Sequence, residues 1–322
     1  MIDPPKLPEA NVNLVTPKAP VTGRVVSNDK CMKGKSSSFV RHTVIDIAGT
    51  PLEGACLAGQ SFGVLAPGVD ENGKPHKVRL YSIANGSRGE NGEANLISTT
   101  PKRLIDEYSP QRPDDDASKH DLILGVCSNF LCDLQPGDEL QVTGPAGKRF
   151  LLPVNPDEHD FVFLATGTGV APFRGFCLDL LVNRETPCSS QIHFIMGSPY
   201  TTDLLYDDLF TDLTAKHAHF HYHTAISREP RGDNPRGIYT HNLIEEQLDL
   251  FGPLLESSRT LIYMCGLRGM QSGVHQVLQR RGLNANFQTV SEELQDVDPS
   301  EWTTAQMKRY VRPTSHMMVE VY

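Results

Sequence analysis

The sequence predicts two domains, an all-β barrel or sandwich followed by an α/β unit built on a parallel sheet. At 322 residues the chain exceeds one ordinary core, and its hydrophobic fraction of 39% suffices for two. Up to about residue 152 it reads as short strands and Gly/Pro/Asn turns with no helical period between them. Beyond that point apolar strands alternate with helices, the pattern of βα units. The junction runs from Phe161 to Arg174. It is an apolar segment too short for a helix that breaks at Thr166-Gly167-Thr168-Gly169 and restarts near Pro172.

Taken in order, residues 1–20 carry Pro4, Pro5, Pro8, Pro17 and Pro20 and few apolar side chains, so they read as an extended arm on or off the first domain. Strand-like pieces follow at Gly23–Val26, His42–Ile47 and Ser61–Leu65. In the run 78–84, a strand would set Arg79, Tyr81 and Ile83 on one face and Leu80, Ser82 and Ala84 on the other. A cation, an aromatic plane and a hydroxyl so close together can hold a phosphate, stack on a flat ring and touch its edge. The acidic loop Asp114–Asp116 reads as solvated. Gly125–Cys132 starts as a strand and becomes a short helix, with Ser128 or Asn129 as N-cap and free N–H groups open to an anion. Leu134–Asp138 is a turn, and Glu139–Thr143 and Phe150–Leu152 close a first domain at residues 21–156.

In the second domain, 157–322, the glycines after the strand at 161–166 let backbone N–H groups approach an anion at a helix N-terminus. The run Gly-x-Gly-x-x-Pro lacks the third glycine of the dinucleotide fingerprint, yet a phosphate-bearing ligand is expected there. Phe176–Val182 is helical, and Gln191–Met196 is a strand whose exit, Gly197-Ser198-Pro199, lies at the ligand-binding end of an open sheet. Asp203–Phe210 returns as a helix. Thr260–Cys265 is a further strand that leads through Gly266-Leu267-Arg268-Gly269 into a helix reaching Leu278, and Met317–Tyr322 is a terminal strand.

Composition narrows the function. Net charge is −9, of which residues 1–152 contribute about −1, while residues 1–42 hold seven Lys/Arg against three Asp/Glu. Broad nucleic-acid binding is unexpected, whereas a basic face toward an acidic partner fits. Apolar runs fall short of the roughly 20 residues of a membrane span, and the start lacks a signal pattern. Seven cysteines without regular spacing point to a reducing compartment, so a cytoplasmic protein is expected. A monomer is the expected oligomeric state. Cys127 and Cys132 read as buried fillers, since no further cysteine completes an iron–sulfur run. His217, His219, His221 and His223 alternate, and on a strand they would share one face. With no carboxylate or cysteine to complete a shell they read as a solvated strand, and no metal is expected.

Five runs in order span nearly the whole chain: Arg79-Leu-Tyr-Ser82, Gly125 to Cys132, Gly167 to Arg174, Met264 to Met270 and the terminal Val319-Glu-Val-Tyr322. Their sum resembles the plant-type ferredoxin:NADP+ reductase family, including its bacterial members. The resemblance implies an N-terminal antiparallel β-barrel for FAD and a C-terminal Rossmann-like α/β domain for NADP(H). It implies an enzyme that exchanges a hydride between nicotinamide and flavin and single electrons with a separate ferredoxin or flavodoxin. By the same resemblance Arg79 holds the FAD pyrophosphate, Tyr81 stacks on the flavin, and Ser82 lies near its reactive nitrogen. Leu80, Thr100 and Lys102 join the FAD site, with Val126, Cys127 and Ser128 on the phosphates. Thr168 sits where flavin and nicotinamide meet, and Cys265, Gly266 and Leu267 orient the nicotinamide. Ser198 and Pro199 contact NADP, Ser227 and Arg228 take its 2′-phosphate, and Tyr239 stacks on its adenine. Glu320 supports proton and electron exchange, and Tyr322 covers the second flavin face.

Two departures stand out. The tyrosine that stacks on the FAD adenine in the family is replaced by Asp106, with Tyr108 two residues later as the substitute. A lysine expected two residues before Tyr239 is Gly237, leaving the charge to Arg236. Arg24, Lys33, Lys35, Arg41, Lys77, Lys148, Arg149 and Lys308 are the expected docking charges for an acidic carrier. Two other readings fit the same residues: the reductase component of a dedicated oxygenase, or a flavin-loaded interaction module without turnover.

Overall fold

The strands of the first half are β1 (Val21–Lys30), β2 (Arg41–Asp46), β3 (Ser61–Leu65), β4 (Arg79–Ser82), β5 (Leu96–Thr99), β6 (Ile105–Glu107), β7 (Leu122–Leu124) and β8 (Glu139–Ala146). They belong to a computed structural model that describes residues 3–36, 38–107 and 122–322. Six of them pair antiparallel in the order β4-β3-β8-β1-β2-β5. The two ends of that order meet, because the Ala84 N–H donates to the Ser98 carbonyl at 2.8 Å and the Thr99 hydroxyl to the Ser82 carbonyl at 2.8 Å. Of the two architectures open to the sequence, this closure selects the barrel, which leaves few strand edges exposed. Val25, Ile45, Phe62, Val64 and Val142 fill its interior. The proline-rich arm lies on the barrel: Val15 exchanges backbone hydrogen bonds with Gly144 and is buried in the same core. The Gln60 side chain donates to Asn11 O at 2.8 Å, fastening the arm again.

Helix α1 (Val126–Asp133) crosses one end of the barrel, and its N-cap is Gly125 rather than the expected Ser128 or Asn129. Those two lie inside the first turn, where Asn129 reaches back to Gly125 O at 2.7 Å. Gly125 is pressed against Leu104, whose Cβ would stand 2.8 Å from a Cβ at this position. That close approach fixes where the chain turns into the helix.

The second half contains β9 (Asp160–Thr166), α2 (Ala171–Cys177), β10 (Ile192–Ser198), α3 (Asp207–Lys216), β11 (Phe220–Ile226), α4 (Thr240–Glu246), α5 (Leu248–Glu256), β12 (Thr260–Gly266) and α6 (Arg268–Arg280). It ends with β13 (Gln288–Val290), α7 (Glu292–Gln295), α8 (Thr304–Tyr310), β14 (Val311–Pro313) and β15 (Met317–Val321). The main sheet is parallel, in the order β11-β10-β9-β12-β15. Its direction of growth reverses between β9 and β12, and open α/β sheets bind ligands at the carboxyl ends of such a pair. β9, β10 and β12 are buried on both faces, which is why they read as unbroken apolar runs.

Two expectations, on the helix after Asp203 and on the histidine row, are corrected. Phe150–Leu152, which closes the first domain, is not a strand. Instead Phe150 packs on Phe173, Phe176 and Tyr263 of the second half, and the Tyr263 hydroxyl donates to Leu151 O at 2.7 Å. The helix expected from Asp203 starts at Asp207, because Tyr206 sits in the left-handed region at φ 57°. His217 and His219 precede β11, so His221 and His223 instead share a face with His193 of β10. The three rings stack and are partly buried, with His193 and His223 against Phe251, so the row is not a solvated strand. Among the described residues no group of three or more His, Cys, Asp or Glu could hold a metal, and no helix is long and apolar enough to cross a membrane.

Candidate active site at the seam of the two halves

β4 and the segment after β5 face the carboxyl ends of β9 and β12 across an open cleft of about 320 Å³. From the barrel it receives Leu80, Tyr81, Ser82, Thr100 and Lys102, and from the parallel sheet Thr168, Cys265 and Tyr322. The sequence predicted all eight as site residues. A larger cavity of about 540 Å³ lies behind β15 under Pro4 and Pro5, but it contains none of these eight. Glu320, also expected at the site, lines that larger cavity instead.

Close approach shapes the cleft. Gly169 lies so near β12 that a Cβ would stand 2.1 Å from Cys265 O, a contact no side chain can make. The Thr166 hydroxyl accepts the Leu267 N–H at 2.7 Å and ties the two strand exits together. Sequence reading missed Thr166, although a polar residue ending an apolar strand was visible. Tyr322 is anchored by its own N–H to Gly266 O at 3.0 Å and pairs hydroxyl to hydroxyl with Thr168 at 2.8 Å. The residue as a whole is 59% exposed, and it lines the same cleft as Tyr81. Two aromatic rings lining one cleft fit a flat tricyclic ligand.

Burial governs the titrating groups. Cys265, with 2% of its surface exposed, has its thiol pushed up by burial, against a smaller opposing hydrogen bond from Ser82. It stays a protonated packing group rather than a nucleophile. Glu320 pairs in register with Cys265, and burial pushes its carboxyl up to about 7. It can therefore hold or release a proton near neutral pH.

The remaining expected FAD contacts lie along one path from the cleft. Arg79 is exposed on β4 and has no ion-pair partner among the described residues. Cys127 is buried behind Tyr81, while Val126 and Ser128 stand in the first turn of α1. No side chain caps that helix. Its leading N–H groups suit an anion, which the expected pyrophosphate would supply. Asp106 is exposed on β6, and Tyr108 falls outside the described residues.

At the exits of β10 and β11 a second site forms. Ser227 and Arg228 donate their backbone N–H groups to Ser198 O and Pro199 O at 3.0 and 2.9 Å. Glu229, which sequence reading passed over, accepts from the Thr201 N–H at 2.6 Å and its hydroxyl at 3.0 Å, joining the two loops. Arg228 and Arg236 are exposed and lack ion-pair partners among the described residues. Tyr239 is 60% exposed and stacks on His241 with centroids 5.8 Å apart. At Gly237, φ is +67° and a Cβ would meet Ile226 O at 2.1 Å, so a lysine cannot occupy this position in this loop. The charge therefore falls to Arg236.

Some docking charges expected from the sequence already have partners. Lys33 pairs with Asp207 and Asp208 at 3.1 and 2.6 Å, and Arg24 pairs with Glu139 at 2.6 Å. Arg41 donates to Asn28 O at 3.0 Å. Lys35, Lys77, Lys148 and Arg149 are exposed without ion pairs among the described residues.

A closed barrel set against the switch point of a parallel sheet, with a cleft between them, defines a two-domain pyridine-nucleotide oxidoreductase. Residues 163–276 match the family model for the oxidoreductase NAD-binding domain. The chain is 38% identical over 270 residues to the ferredoxin–NADP reductase of Thermosynechococcus vestitus, covering 83% of this chain and 67% of that protein. It is 34% identical over 314 residues to the chloroplastic leaf-type ferredoxin–NADP reductase of Nicotiana tabacum, covering 97% and 79%. The ferredoxin–NADP+ reductase of Plasmodium falciparum, solved with 2′P-AMP, matches the fold with a TM-score of 0.67 at 21% identity, over 96% of this chain and 99% of that one. This chain belongs to the ferredoxin–NADP reductase family.

Proposed function

We propose that the protein is an FAD-dependent ferredoxin (flavodoxin)–NADP+ reductase, with residues 21–156 holding FAD and 157–322 holding NADP(H). The observation that carries this reading is the cleft in which Tyr81 and Ser82 of the barrel face Thr168, Cys265 and Tyr322 of the α/β half. FAD, when bound, supplies the conversion between two-electron exchange with nicotinamide and one-electron exchange with a protein carrier.

The chain's own residues position and gate. Tyr81 and Tyr322 offer the two aromatic faces, and Tyr322, held through Thr168, is the one that must move aside for nicotinamide. Ser82 and Cys265 touch each other in the cleft, so the packed thiol can set the approach of the nicotinamide ring without acting as a nucleophile. Glu320, poised near neutral pH, holds the proton that exchange with solvent requires. Ser227 and Arg228 take the 2′-phosphate, since a guanidinium offers a planar fork of donors, and Arg236 and Tyr239 complete the adenosine end.

For the carrier we assign a separate acidic ferredoxin or flavodoxin docking on Lys35, Lys77, Lys148 and Arg149. All seven cysteines are free, which supports a reducing compartment such as the cytoplasm.

An anaerobic titration of the purified protein with NADPH and then NADH, followed by the visible flavin spectrum, tests the reading. A yellow protein bleached efficiently by NADPH and poorly by NADH is expected. A protein that stays colourless after incubation with FAD would overturn it.

A further inference from the structure

Thr166, at the exit of β9, stands between two glycines, Gly197 in register on β10 and Gly266 at the end of β12. A Cβ at Gly197 would lie 2.9 Å from the Thr166 methyl, and one at Gly266 would lie 2.2 Å from its hydroxyl oxygen. The side chain therefore fills the room that both neighbours leave. A β-branched residue has few χ1 choices, and here the methyl is directed over β10 and the hydroxyl over β12. We propose that Thr166 is a positioning residue that holds the main chain of Tyr322 through the Gly266–Leu267 peptide, and so sets how readily nicotinamide displaces the tyrosine. The proposal rests on the reading of Tyr322 as the group that yields the flavin face.

A single peptide unit makes the link. Its N–H, from Leu267, donates to Thr166 Oγ1 at 2.7 Å, and its carbonyl, from Gly266, accepts the Tyr322 N–H at 3.0 Å. Both donors are backbone amides, so the direction of each bond is fixed. In a trans peptide the N–H and the C=O point opposite ways, and Thr166 and Tyr322 thus grip one rigid plane from its two sides. Gly266, at φ +133°, has no Cβ to restrict its rotation. Leu267 is 57% exposed, so the packing of its side chain does little to fix the plane. The hydroxyl of Thr166 supplies that constraint.

Tyr322 is thereby held twice by one turn. Thr166 fixes its main chain through the shared peptide, and Thr168 pairs with its hydroxyl at 2.8 Å. The bond from the Tyr322 N–H extends the parallel ladder of β12 and β15 one step past Gly266 and Val321. The Thr168 bond forms only while the main chain keeps the ring in reach, so loosening either end weakens the seat. When nicotinamide takes the flavin face the ring must leave, and the stability of its seat opposes that step. A ligand whose binding-competent state is a minority binds more weakly by that fraction. Weakening the seat therefore tightens ligands that carry nicotinamide and spares those that do not.

Calorimetric titration of the oxidised holoprotein with NADP+ and with 2′P-AMP, which has no nicotinamide, tests this. Thr166→Val removes the acceptor and keeps the branch. It should tighten NADP+ about two- to tenfold, the factor of one net hydrogen bond, and leave 2′P-AMP unchanged. Thr166→Ser should bind both as the wild type does. In a Tyr322→Ala background, Thr166→Val should have no further effect on either ligand. Unchanged or weaker NADP+ binding in Thr166→Val, an equal shift for 2′P-AMP, or the same gain without the Tyr322 ring would each overturn the proposal. If Thr166→Val does not fold, hydrogen exchange of the wild type decides: the Leu267 amide should be as protected as that of Tyr322, and free exchange at Leu267 would overturn it. If the wild type binds no FAD, the functional reading fails, while that exchange still tests the hold of Thr166 on the peptide.

Discussion

The cleft and the proposed adenosine site lie along the same edge of one parallel sheet, yet they are built by opposite means. At the cleft, Cys265 is 2% and Thr100 4% exposed, and the Thr100 and Tyr322 hydroxyls are tied to partners at 2.7 and 2.8 Å. At the exits of β10 and β11, Arg228 and Arg236 stand exposed without ion pairs and Tyr239 is 60% exposed. The difference follows from the task. Orienting two rings for transfer needs positions fixed to fractions of an ångström, which packed strand ends supply. Recognising a phosphate needs charge and reach, which solvated loops supply.

Removing a charge from each end separates the two designs most sharply. Arg174→Met leaves Glu90 buried without its guanidinium partner, and the expected loss is about 3–5 kcal/mol of folding stability. Urea unfolding followed by flavin release measures it, and a loss below about 1 kcal/mol would mean that Arg174 does not offset the buried charge of Glu90. Arg228→Ala should leave stability unchanged and weaken NADPH binding by about 1.5–3 kcal/mol, with NADH affinity unaffected. Equal losses for both nucleotides would remove Arg228 from the 2′-phosphate.

The same contrast explains what could be read from the chain. The unbroken apolar runs of β9, β10 and β12 announced a buried parallel sheet, and eight predicted residues, Tyr81, Thr168 and Cys265 among them, meet in one cleft. Chemistry of that kind sits in short local runs. The network of Glu90, Arg174, His42 and Tyr206 at the seam was illegible because its members come from four separate segments, each unremarkable alone. Local propensity also misplaced elements where tertiary contact decides: Tyr206 stops a helix that its neighbours favour, and Gly125 takes the cap from Ser128 because Leu104 crowds it. Lys33 and Arg24 read as free docking charges because their acidic partners are remote in sequence.

Glu320 probes the closed end through pH. Its carboxyl is raised from 4.5 to about 7 by burial, so folding favours the neutral form. The contribution is complete below about 4.5 and is lost as pH rises through 7. Glu320→Gln stays neutral throughout, and the stability difference between pH 5 and pH 8 should shrink by about 1–2 kcal/mol relative to wild type. An unaltered pH dependence in urea unfolding would place the carboxylate in water rather than behind Cys265.

The smallest expected effect lies at the open end and is diagnostic by its symmetry. Tyr239 is 60% exposed, and His241 stacks on it with 4° between the ring planes. Adenine is common to both nucleotides, and a ring stack is worth about 0.5–1.5 kcal/mol. Tyr239→Ala should therefore weaken NADPH and NADH by the same factor, about two- to tenfold, and leave their ratio and the flavin spectrum as in wild type. Binding of each nucleotide to the oxidised protein, read from the perturbation of the flavin band, measures both. A change in the ratio would mean that Tyr239 also shapes the loop carrying Arg228. In that case the open end would be organised by packing, and the contrast with the cleft would be one of degree.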